Sequence, residues 1–390
     1  MTTANEHSLL KTFVRRFCQD RIAVAGLSFV VFLILIAIYA PLLANGQPLM
    51  VLSGGKLSFP AWRAFWAPDS PEMIIERFFN YLAVFLPLTG LICLVFKKKK
   101  ALFSGIAGVV LLIPFLTVKP VIDSRDWHEQ TQEIRAGGGT VITALVAYGP
   151  FETKAAPYQP STKEHWLGTD HAGRDVFARM VFGARVSVIV GLAATAISMI
   201  IGTLVGLLAG YCGGRTDLFV MRLVEIVICF PQFLLLLILM SIMLDYGSRQ
   251  SVLLVIAVIG LFNWTGLCRL VRGEVLKQRA MTYISAAECL GVPRWKILLK
   301  HLLPNVSGPV IVIFSFEFAS AILVESSLSF LGFGVQDPVS SWGELISQAE
   351  PSPMIYWRLI LWPGLAIFLS VCAFNFVGEG VRKAIHQEEG

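Results

Sequence analysis

Charged side chains are scarce in this chain of 390 residues. Asp, Glu, Lys and Arg together make up 15% of it, whereas an ordinary soluble protein carries about 25%. Hydrophobic residues make up 55%, which excludes a disordered protein and argues against a cytosolic enzyme or a nucleic-acid-binding domain. The composition is typical of a protein that crosses the lipid bilayer several times.

The sequence also lacks the signatures of common catalytic and metal sites. It has no P-loop for ATP, no H-E-x-x-H zinc motif and no G-x-S-x-G nucleophile motif. Its seven cysteines contain no C-x-x-C pair, so no zinc or redox motif is present. We therefore expect neither an enzyme nor a chain that binds a metal or cofactor itself.

Eight apolar stretches are candidates for transmembrane helices, which need about 20 residues each. They are 22–43, 80–96, 101–118, 186–210, 223–244, 251–268, 305–333 and 359–378. The short stretches 80–96 and 101–118 would form a hairpin joined by Lys97–Lys100; alternatively, this segment is peripheral and six spans remain. The β-branched run 141–148 is too short to span and predicts a strand in a loop.

The distribution of Lys and Arg predicts the orientation. With both termini in the cytoplasm, the inner segments carry 19 cationic residues in 82 positions and the outer segments 13 in 134. Cations are concentrated on the cytoplasmic side of membrane proteins, which favours this arrangement over its inverse. Eight spans or six leave both ends on the same side, so the orientation does not depend on the hairpin.

Small residues and a proline predict how two spans pack. Gly202, Gly206 and Gly210 recur at four-residue spacing, a pattern that lets two helices approach closely in lipid. Pro231 lies within the stretch 223–244 and should kink that helix, because it removes one backbone hydrogen bond. The kinked span would line a path or merely fit its neighbours.

Three acidic residues fall inside predicted spans, namely Glu225, Glu317 and Glu325. A charge at the centre of a span costs about 2.5–3.5 kcal/mol on insertion scales, so such residues usually face a bundle interior or a water-filled path. Together with Pro231 they are candidates for a translocation path or gate. Pairing with a structural partner is the alternative, and it is favoured for Glu225 because Arg222 lies three residues earlier.

The predicted inner loop 269–304 is the longest and most basic inner segment, with seven Lys and Arg in 269–301. Helix is favoured over 280–290, Gly291 supplies a C-terminal stop, and Pro293 suits the first turn of a second helix. Ile284, Ala287 and Gly291 share one small-residue face, which predicts a docking element for a cytoplasmic partner. Alternatively, the loop is basic only because inner loops are.

The same loop resembles a known motif. Segment 279–304 is similar to the EAA loop of the permease subunits of binding-protein-dependent ABC importers, through Ala286-Ala287, Gly291 and Leu303-Pro304. Ser285 stands where that family usually has glutamate, and Glu288, one turn later, is a candidate to supply the charge.

Further motifs occur in the family's order. They are HWLGTDHAGRDVFARMVFGAR at 165–185, GLLAGYCGG at 206–214, MRLVEIVICFP at 221–231, ESSLSFLGFGVQDP at 325–338, SWG at 341–343 and PGLAIFLSVCAFNFVGEGVR at 363–382. They resemble the C-type permease subunit of dipeptide and oligopeptide importers, over 161–390 and the span 22–43. The stretch 42–60 is similar to the branch that imports microcin-type and longer peptides.

This resemblance implies an all-α polytopic membrane protein with a five-helix permease core, an N-terminal span and an extra helical hairpin. The expected parts are 1–43, with the cytoplasmic tail and first span; 44–160, with outer loops and the inserted hairpin 80–118; and 161–390, with the permease core. The coupling loop 269–304 belongs to the last part. The rival class is an ion-coupled secondary transporter or channel for small solutes, which would need no docking loop.

The resemblance also implies partners and site residues. The partners are a second homologous permease, two ATP-binding subunits that hold ATP and magnesium, an extracytoplasmic solute-binding protein and a peptide, in the cytoplasmic membrane of a bacterium. Residues expected to couple to an ATPase are Tyr283, Ser285, Ala286, Ala287, Glu288, Gly291 and Pro304. An outer motif comprises Trp166, Gly168, Thr169, Asp170, Gly173, Arg174 and Asp175.

Overall fold

The computed structural model describes residues 12–66, 68, 70–95, 100–118, 125–245 and 252–386, and helices make up most of this part of the chain. After a helical stretch at 12–19, helices α1 to α6 are Arg21–Ile38, Ala40–Leu43, Pro60–Trp66, Met73–Val95, Lys100–Thr117 and Trp127–Ala136. Helices α7 to α11 are Val176–Cys212, Gly214–Cys229, Gln232–Asp245, Val252–Phe262 and Trp264–Arg279. Helices α12 to α16 are Thr282–Cys289, Arg294–Ile297, Leu303–Phe330, Trp342–Ser347 and Trp357–His386, and a π-helical segment, Leu298–Leu302, precedes α14.

Six helical segments in the described part of the chain are long and apolar enough to cross a membrane. They are Arg21–Ile38, Met73–Val95, Val176–Cys212, Val252–Arg279, Arg294–Phe330 and Trp357–Ile385. Each overlaps a stretch predicted from the sequence. Helix α5 contains a shorter apolar stretch, Ala101–Pro114, and residues 97–99 of the predicted hairpin turn lie outside the described residues. The predicted count of eight spans is therefore not confirmed.

The predicted span 223–244 is two helices rather than one. Helices α8 and α9 meet at Phe230 and Pro231 and are bent by 81°. Phe230 has the extended backbone angles φ −90° and ψ 133°, the conformation that a following proline favours. The kink predicted from Pro231 is present, and it is large enough to break the span.

The span predicted as 251–268 runs on to Arg279, so the segment after it is shorter than the loop 269–304 expected from the sequence. Residues 269–279 mix charged and apolar side chains and continue helix α11, whose last turn carries Lys277 and Arg279. Cationic side chains in a last turn stabilise the carbonyl end of a helix. A prediction from apolar length alone therefore ends this helix too early.

A small antiparallel sheet interrupts the helices. Strands β1 (Met50–Ser53), β2 (Lys56–Ser58) and β3 (Thr140–Ile142) pair in the order β2-β1-β3. Gly54 and Gly55 join β1 to β2 with φ of +56° and +75°, as a two-residue hairpin turn requires. The strand predicted at 141–148 ends early, because Val146 pairs instead with the chain after α1, through Leu43 and Asn45.

The chain forms two compact units. The first comprises the described residues up to Val31, Val190–Gly334 and the chain from Ala366; the second comprises Phe32–Ile189 and Val335–Leu365. In the first unit, the glycines of α7 pack against α11: a Cβ on Gly202 would lie 2.8 Å from the Trp264 carbonyl oxygen, and one on Gly206 2.7 Å from that of Cys268. Close helix packing, predicted from their spacing, is present.

Candidate functional site

The short helix α12 has a defined end. Gly291 adopts φ +72°, the left-handed conformation that glycine reaches without strain. Its N–H bonds the Glu288 carbonyl at 3.0 Å, and the Val292 N–H bonds the Ala287 carbonyl at 3.0 Å. These two bonds form the Schellman arrangement that ends a helix. The stop predicted at Gly291 is present, and Pro293 caps the next helix, α13, rather than lying in its first turn.

One face of α12 is buried within its own unit. Ile284 is 1% exposed and Ala287 7% exposed, and both belong to a hydrophobic cluster with Leu207 of α7 and Val271 of α11. The Tyr211 hydroxyl donates to a Glu288 carboxylate oxygen at 3.1 Å. The predicted docking face of Ile284 and Ala287 is therefore wrong: apolar periodicity identified the face that packs inward, and this face attaches α12 to the spans.

The opposite face of α12 and the turn after it are exposed. Ser285, Ala286 and Glu288 lie on this surface, and Leu290 and Trp295 are 83% and 58% exposed. Exposed apolar side chains grouped on one surface are typical of a protein contact. We call the surface formed by Tyr283, Ser285, Ala286, Glu288, Leu290 and Trp295 the α12 surface.

Tyr283 and Pro304 lie at the two ends of the segment that contains α12 and α13. The Tyr283 hydroxyl donates to Gln278 Oε1 at 2.7 Å and accepts from Asn305 Nδ2 at 2.8 Å, which ties α12 to the helices on both sides. Pro304 is exposed in the first turn of α14, directly after the π-helical segment Leu298–Leu302. Its missing N–H leaves the Lys300 carbonyl without the usual i−4 partner, which explains the wider turn there.

The broken span lines a cavity of about 800 Å³ in the first unit. Apolar side chains of α8, such as Met221 and Ile228, share its wall with Glu225, Arg269 and Arg272. Arg272 forms a two-pronged pair with Asp217, in which Nη2 is 2.6 Å from Oδ2. Glu225 is exposed and pairs with Arg222 at 2.6 Å, so the local pairing favoured from the sequence is present.

The two acids of α14 have different surroundings. Glu325 is fully buried, and its carboxylate accepts hydrogen bonds from Ser329 at 2.8 Å and Ser326 at 3.3 Å. Glu317 is half-buried. Hydroxyl donors from the same helix therefore compensate the burial of Glu325. The roles of both residues in a path or gate stay predictions.

The segment Trp166–Asp175 folds into a tight loop before α7, in the second unit. Gly168 and Gly173 adopt φ of +83° and +79°, and a Cβ on either would collide with a backbone carbonyl, of Gln159 or Ala155. Thr169 Oγ1 donates to the Ala156 carbonyl at 2.6 Å and accepts from the Gln159 N–H at 2.8 Å.

Asp170 and Asp175 are both buried, and each accepts a hydrogen bond from a backbone N–H. Asp170 Oδ1 accepts the Arg174 N–H at 2.8 Å, and Asp175 Oδ1 accepts the Ala178 N–H at 2.8 Å at the start of α7. Asp175 Oδ2 contacts His165 Nδ1 at 2.8 Å. Burial raises the pKa of the Asp175 carboxyl, against the lowering effect of the Ala178 and His165 hydrogen bonds.

An ionic cluster joins this loop to the segment after Val335. Arg174 Nε bonds Asp170 at 2.7 Å, and its Nη2 contacts Asp337. Arg179 is fully buried between Asp170, 3.3 Å from Nε, and Glu344, 2.6 Å from Nη2. Burial raises the pKa of Glu344, although Arg179 opposes the rise. Arg179, Asp337 and Glu344 escaped the sequence prediction, although all three lie in or next to the motifs 165–185, 325–338 and 341–343.

A buried arginine attaches the hairpin helix α4. Arg185 is 1% exposed, and its guanidinium donates to the carbonyls of Ala37 at 2.7 Å and Ile38 at 3.1 Å, and to Asn80 Oδ1 at 2.8 Å. The Asn80 amide in turn donates to the Phe65 carbonyl at 2.8 Å. Within the second unit, one guanidinium of α7 thus joins the C-terminal end of α1 to α4.

The sequence of this chain is similar to those of known proteins. The family model of the binding-protein-dependent transport system inner membrane component matches residues 202–388, and that of the N-terminal transmembrane domain of oligopeptide transport permease C matches 8–52. The oligopeptide transport system permease protein OppC of Haemophilus influenzae is 36% identical over 299 residues, which are 75% of this chain and 86% of that protein. The chain belongs to the permease family of binding-protein-dependent transport systems.

Other relatives are named for different substrates. The dipeptide transport system permease protein DppC of Bacillus subtilis is 38% identical over 227 residues, 58% of this chain and 69% of that protein. The glutathione transport system permease protein GsiD of Pectobacterium atrosepticum is 35% identical over 266 residues, 65% of this chain and 87% of that protein. The resemblance stated from the motifs is confirmed: the chain is an inner-membrane permease component and not an enzyme.

Proposed function

We propose that this chain is one permease subunit of an ATP-driven peptide importer, forming half of the translocation path. The carrying observation is the two-faced helix α12: Ile284 and Ala287 are packed into the chain's own core, whereas Leu290 is 83% exposed. A helix fixed on one side and apolar on the other suits rigid transmission of a partner's movement. The names of the relatives, oligopeptide and dipeptide permeases, support the peptide substrate.

The α12 surface is the expected seat of an ATPase subunit. ATP and magnesium would be held by two such subunits, and this chain would bind neither. When the ATPases close, they would displace α12, and the Ile284–Leu207 and Glu288–Tyr211 contacts would carry the displacement into α7. Ser285 leaves the surface without the usual family carboxylate, and Glu288 is the carboxylate nearest to it in sequence.

The remaining partners follow from the same assembly. A second, homologous permease would complete the path, and the broken span with its cavity near Glu225 and Arg272 is the candidate for this chain's contribution. A solute-binding protein outside the membrane would deliver the peptide. The ionic cluster around Arg179 would give the loop Trp166–Asp175 the rigidity that a docking surface needs.

Reconstitution with the partner subunits in proteoliposomes tests the proposal. Uptake of labelled peptide should require both ATP and the solute-binding protein, and it should be insensitive to collapse of the ion gradients. Uptake driven by an ion gradient without ATP would instead support a secondary transporter. A Gly273→Ala variant, altered at a position of α11 where a methyl group meets open space, is a suitable control for the reconstitution.

A further inference from the structure

An apolar groove lies in the second unit, beside the inserted helix α4. Its volume is about 280 Å³, and its lining includes Leu42 and Leu49 on one side, Trp62 and Phe65 of α3, and Ala83 and Val84 of α4. Its lining surface is mostly apolar. The groove is open, because Leu42 and Trp62 are 50% and 58% exposed. Exposed apolar surface of this kind is unfavourable against water.

A helix suited to spanning the membrane forms part of the groove wall. At 1.5 Å per residue, Ala83 lies about 15 Å along α4 from Met73, within a helix long and apolar enough to cross the membrane. The wall formed by α3 includes Trp62, which stacks on Phe65 with ring centroids 6.0 Å apart. Tryptophan is typical of the boundary between lipid and water. The groove is therefore walled both by a helix suited to hydrocarbon and by a residue suited to the membrane boundary.

A more polar cavity of about 250 Å³ adjoins the groove, and Pro41, Asn45 and Phe65 line both. Glu76, Asn80, Gln47 and Glu152 contribute its polar side chains. An occupant with one apolar and one polar end would find a matching environment at each end. This succession of apolar groove and polar cavity is the pattern expected for an amphiphile.

We propose that this groove binds one acyl chain of a membrane phospholipid, with the polar cavity beside it. A transmembrane helix of a partner is the rival occupant, and the experiment below separates it from lipid. A peptide fits less well. A peptide substrate would leave its backbone N–H and C=O groups unpaired against a mostly apolar lining, which is costly.

Photo-crosslinking to lipid tests this directly. The full chain, assembled with its partner subunits, is reconstituted with a phosphatidylcholine that carries a diazirine near the end of one acyl chain. After irradiation, the crosslinked peptides are mapped by mass spectrometry. Labels should be enriched on 59–65 and at Ala83 and Val84, relative to Leu91 and Leu94, which are exposed on the same helix.

A matched pair of variants decides the outcome. Ala83→Trp fills the groove and should reduce labelling at 59–65 to the level of the exposed positions, whereas Leu91→Trp adds a similar ring outside and should leave it unchanged. Labelling of the groove no stronger than at Leu91 in the unaltered chain would overturn the proposal. Labelling that appears only when the partner subunits are omitted would show that a protein segment covers the groove, and would overturn it as well.

Discussion

At the scale of single residues, Gly291 combines a special backbone angle with open space around it. A methyl group placed on Gly291 would meet no atom within 4 Å, so a substitution there acts through φ +72° alone. Gly291→Ala should lower the stability of the α12 end by about 1–2 kcal/mol, the cost of a left-handed residue, and weaken ATP-driven uptake. Hydrogen exchange of α12, measured beside uptake in proteoliposomes, checks both effects.

The control for this change is another glycine with open space. Gly273 lies inside helix α11 and also has no atom near its Cβ position. Gly273→Ala should be neutral or stabilising, because alanine is the better helix former. Equal loss of uptake in both variants would contradict the role given to the Gly291 conformation.

Arg179 shows how much depends on one buried charge. Its guanidinium lies between Asp170 and Glu344 with no exposed surface. Arg179→Ala leaves the buried Glu344 without its cation and leaves Asp170 with Arg174 alone, and should destabilise the chain by about 3–5 kcal/mol. Thermal unfolding in detergent measures the change, and it should accompany loss of binding by the solute-binding protein.

An exposed arginine provides the comparison. Arg222 pairs with Glu225 at 2.6 Å, but the two side chains are 74% and 58% exposed. Water and salt screen such a pair, so Arg222→Ala should change the unfolding temperature little. If both arginine variants unfold at the same temperature as the unaltered chain, the ionic cluster is not a stabilising feature.

The sequence could identify Gly291 and Pro231 because their effects are local. A proline removes its own N–H, and a glycine follows the last turn of the helix that it ends. Arg179 and Glu344 are 165 positions apart, and Arg185 and Asn80 are 105 positions apart. Composition and spacing carry no record of such pairs, so the ionic cluster and the hairpin attachment could only be seen in the structure.

At the scale of helices, the sequence located α12, but the face it predicts to dock a partner is the face that packs inward. The period of Ile284, Ala287 and Gly291 correctly predicts one distinct face. It cannot say whether that face meets a partner or the chain's own spans. The cluster with Leu207 and Val271 decides it, and those residues come from α7 and α11.

The amide of Asn80 links the hairpin helix α4 to both α7 and α3. Asn80 accepts from Arg185 and donates to the Phe65 carbonyl. Asn80→Leu should leave both groups without this partner, at a cost of about 1–3 kcal/mol, and loosen α4 and α5 together. Faster hydrogen exchange in both helices is the expected result.

Thr89 offers a control on the same helix. Its hydroxyl donates only to the Leu86 carbonyl one turn earlier, so Thr89→Val removes a hydrogen bond without detaching the helix. Exchange in α5 should then remain as in the unaltered chain. Unchanged exchange in the Asn80 variant would indicate that apolar packing with lipid, rather than Arg185, holds the hairpin.

At the scale of the whole molecule, apolar length predicted where the chain meets the membrane better than how often it crosses. All six long segments overlap predicted spans, because a run of about 20 apolar residues is typical of a membrane-spanning helix. The count of eight is not confirmed, because α8 and α9 are bent by 81° at the broken span and the apolar part of α5 is short. Neither a bend angle nor the depth of a short helix follows from hydrophobicity.

The proposed function makes the two faces of α12 behave differently in the assembled importer. Leu290→Asp alters the α12 surface at a side chain that is 83% exposed, so folding should be preserved while the ATPase subunit binds more weakly by about 2 kcal/mol or more, as at interface hot spots. Ala287→Asp instead buries a carboxylate in the chain's own core, and should reduce the amount of folded protein. Co-purification of the ATPase with the permease, normalised to folded chain, separates the two effects.

The same leucine-to-aspartate change at Leu57, which is 54% exposed on strand β2, should leave both ATPase binding and folding unchanged. The α12 surface is therefore judged against another exposed apolar residue with the same added charge. If the Leu290→Asp variant binds the ATPase subunit as firmly as the Leu57→Asp variant does, the ATPase subunit binds elsewhere on the chain. The exposed face of α12 then needs another explanation. Loss of the ATPase only with Leu290→Asp would place the coupling on the face opposite to the one that apolar periodicity selects.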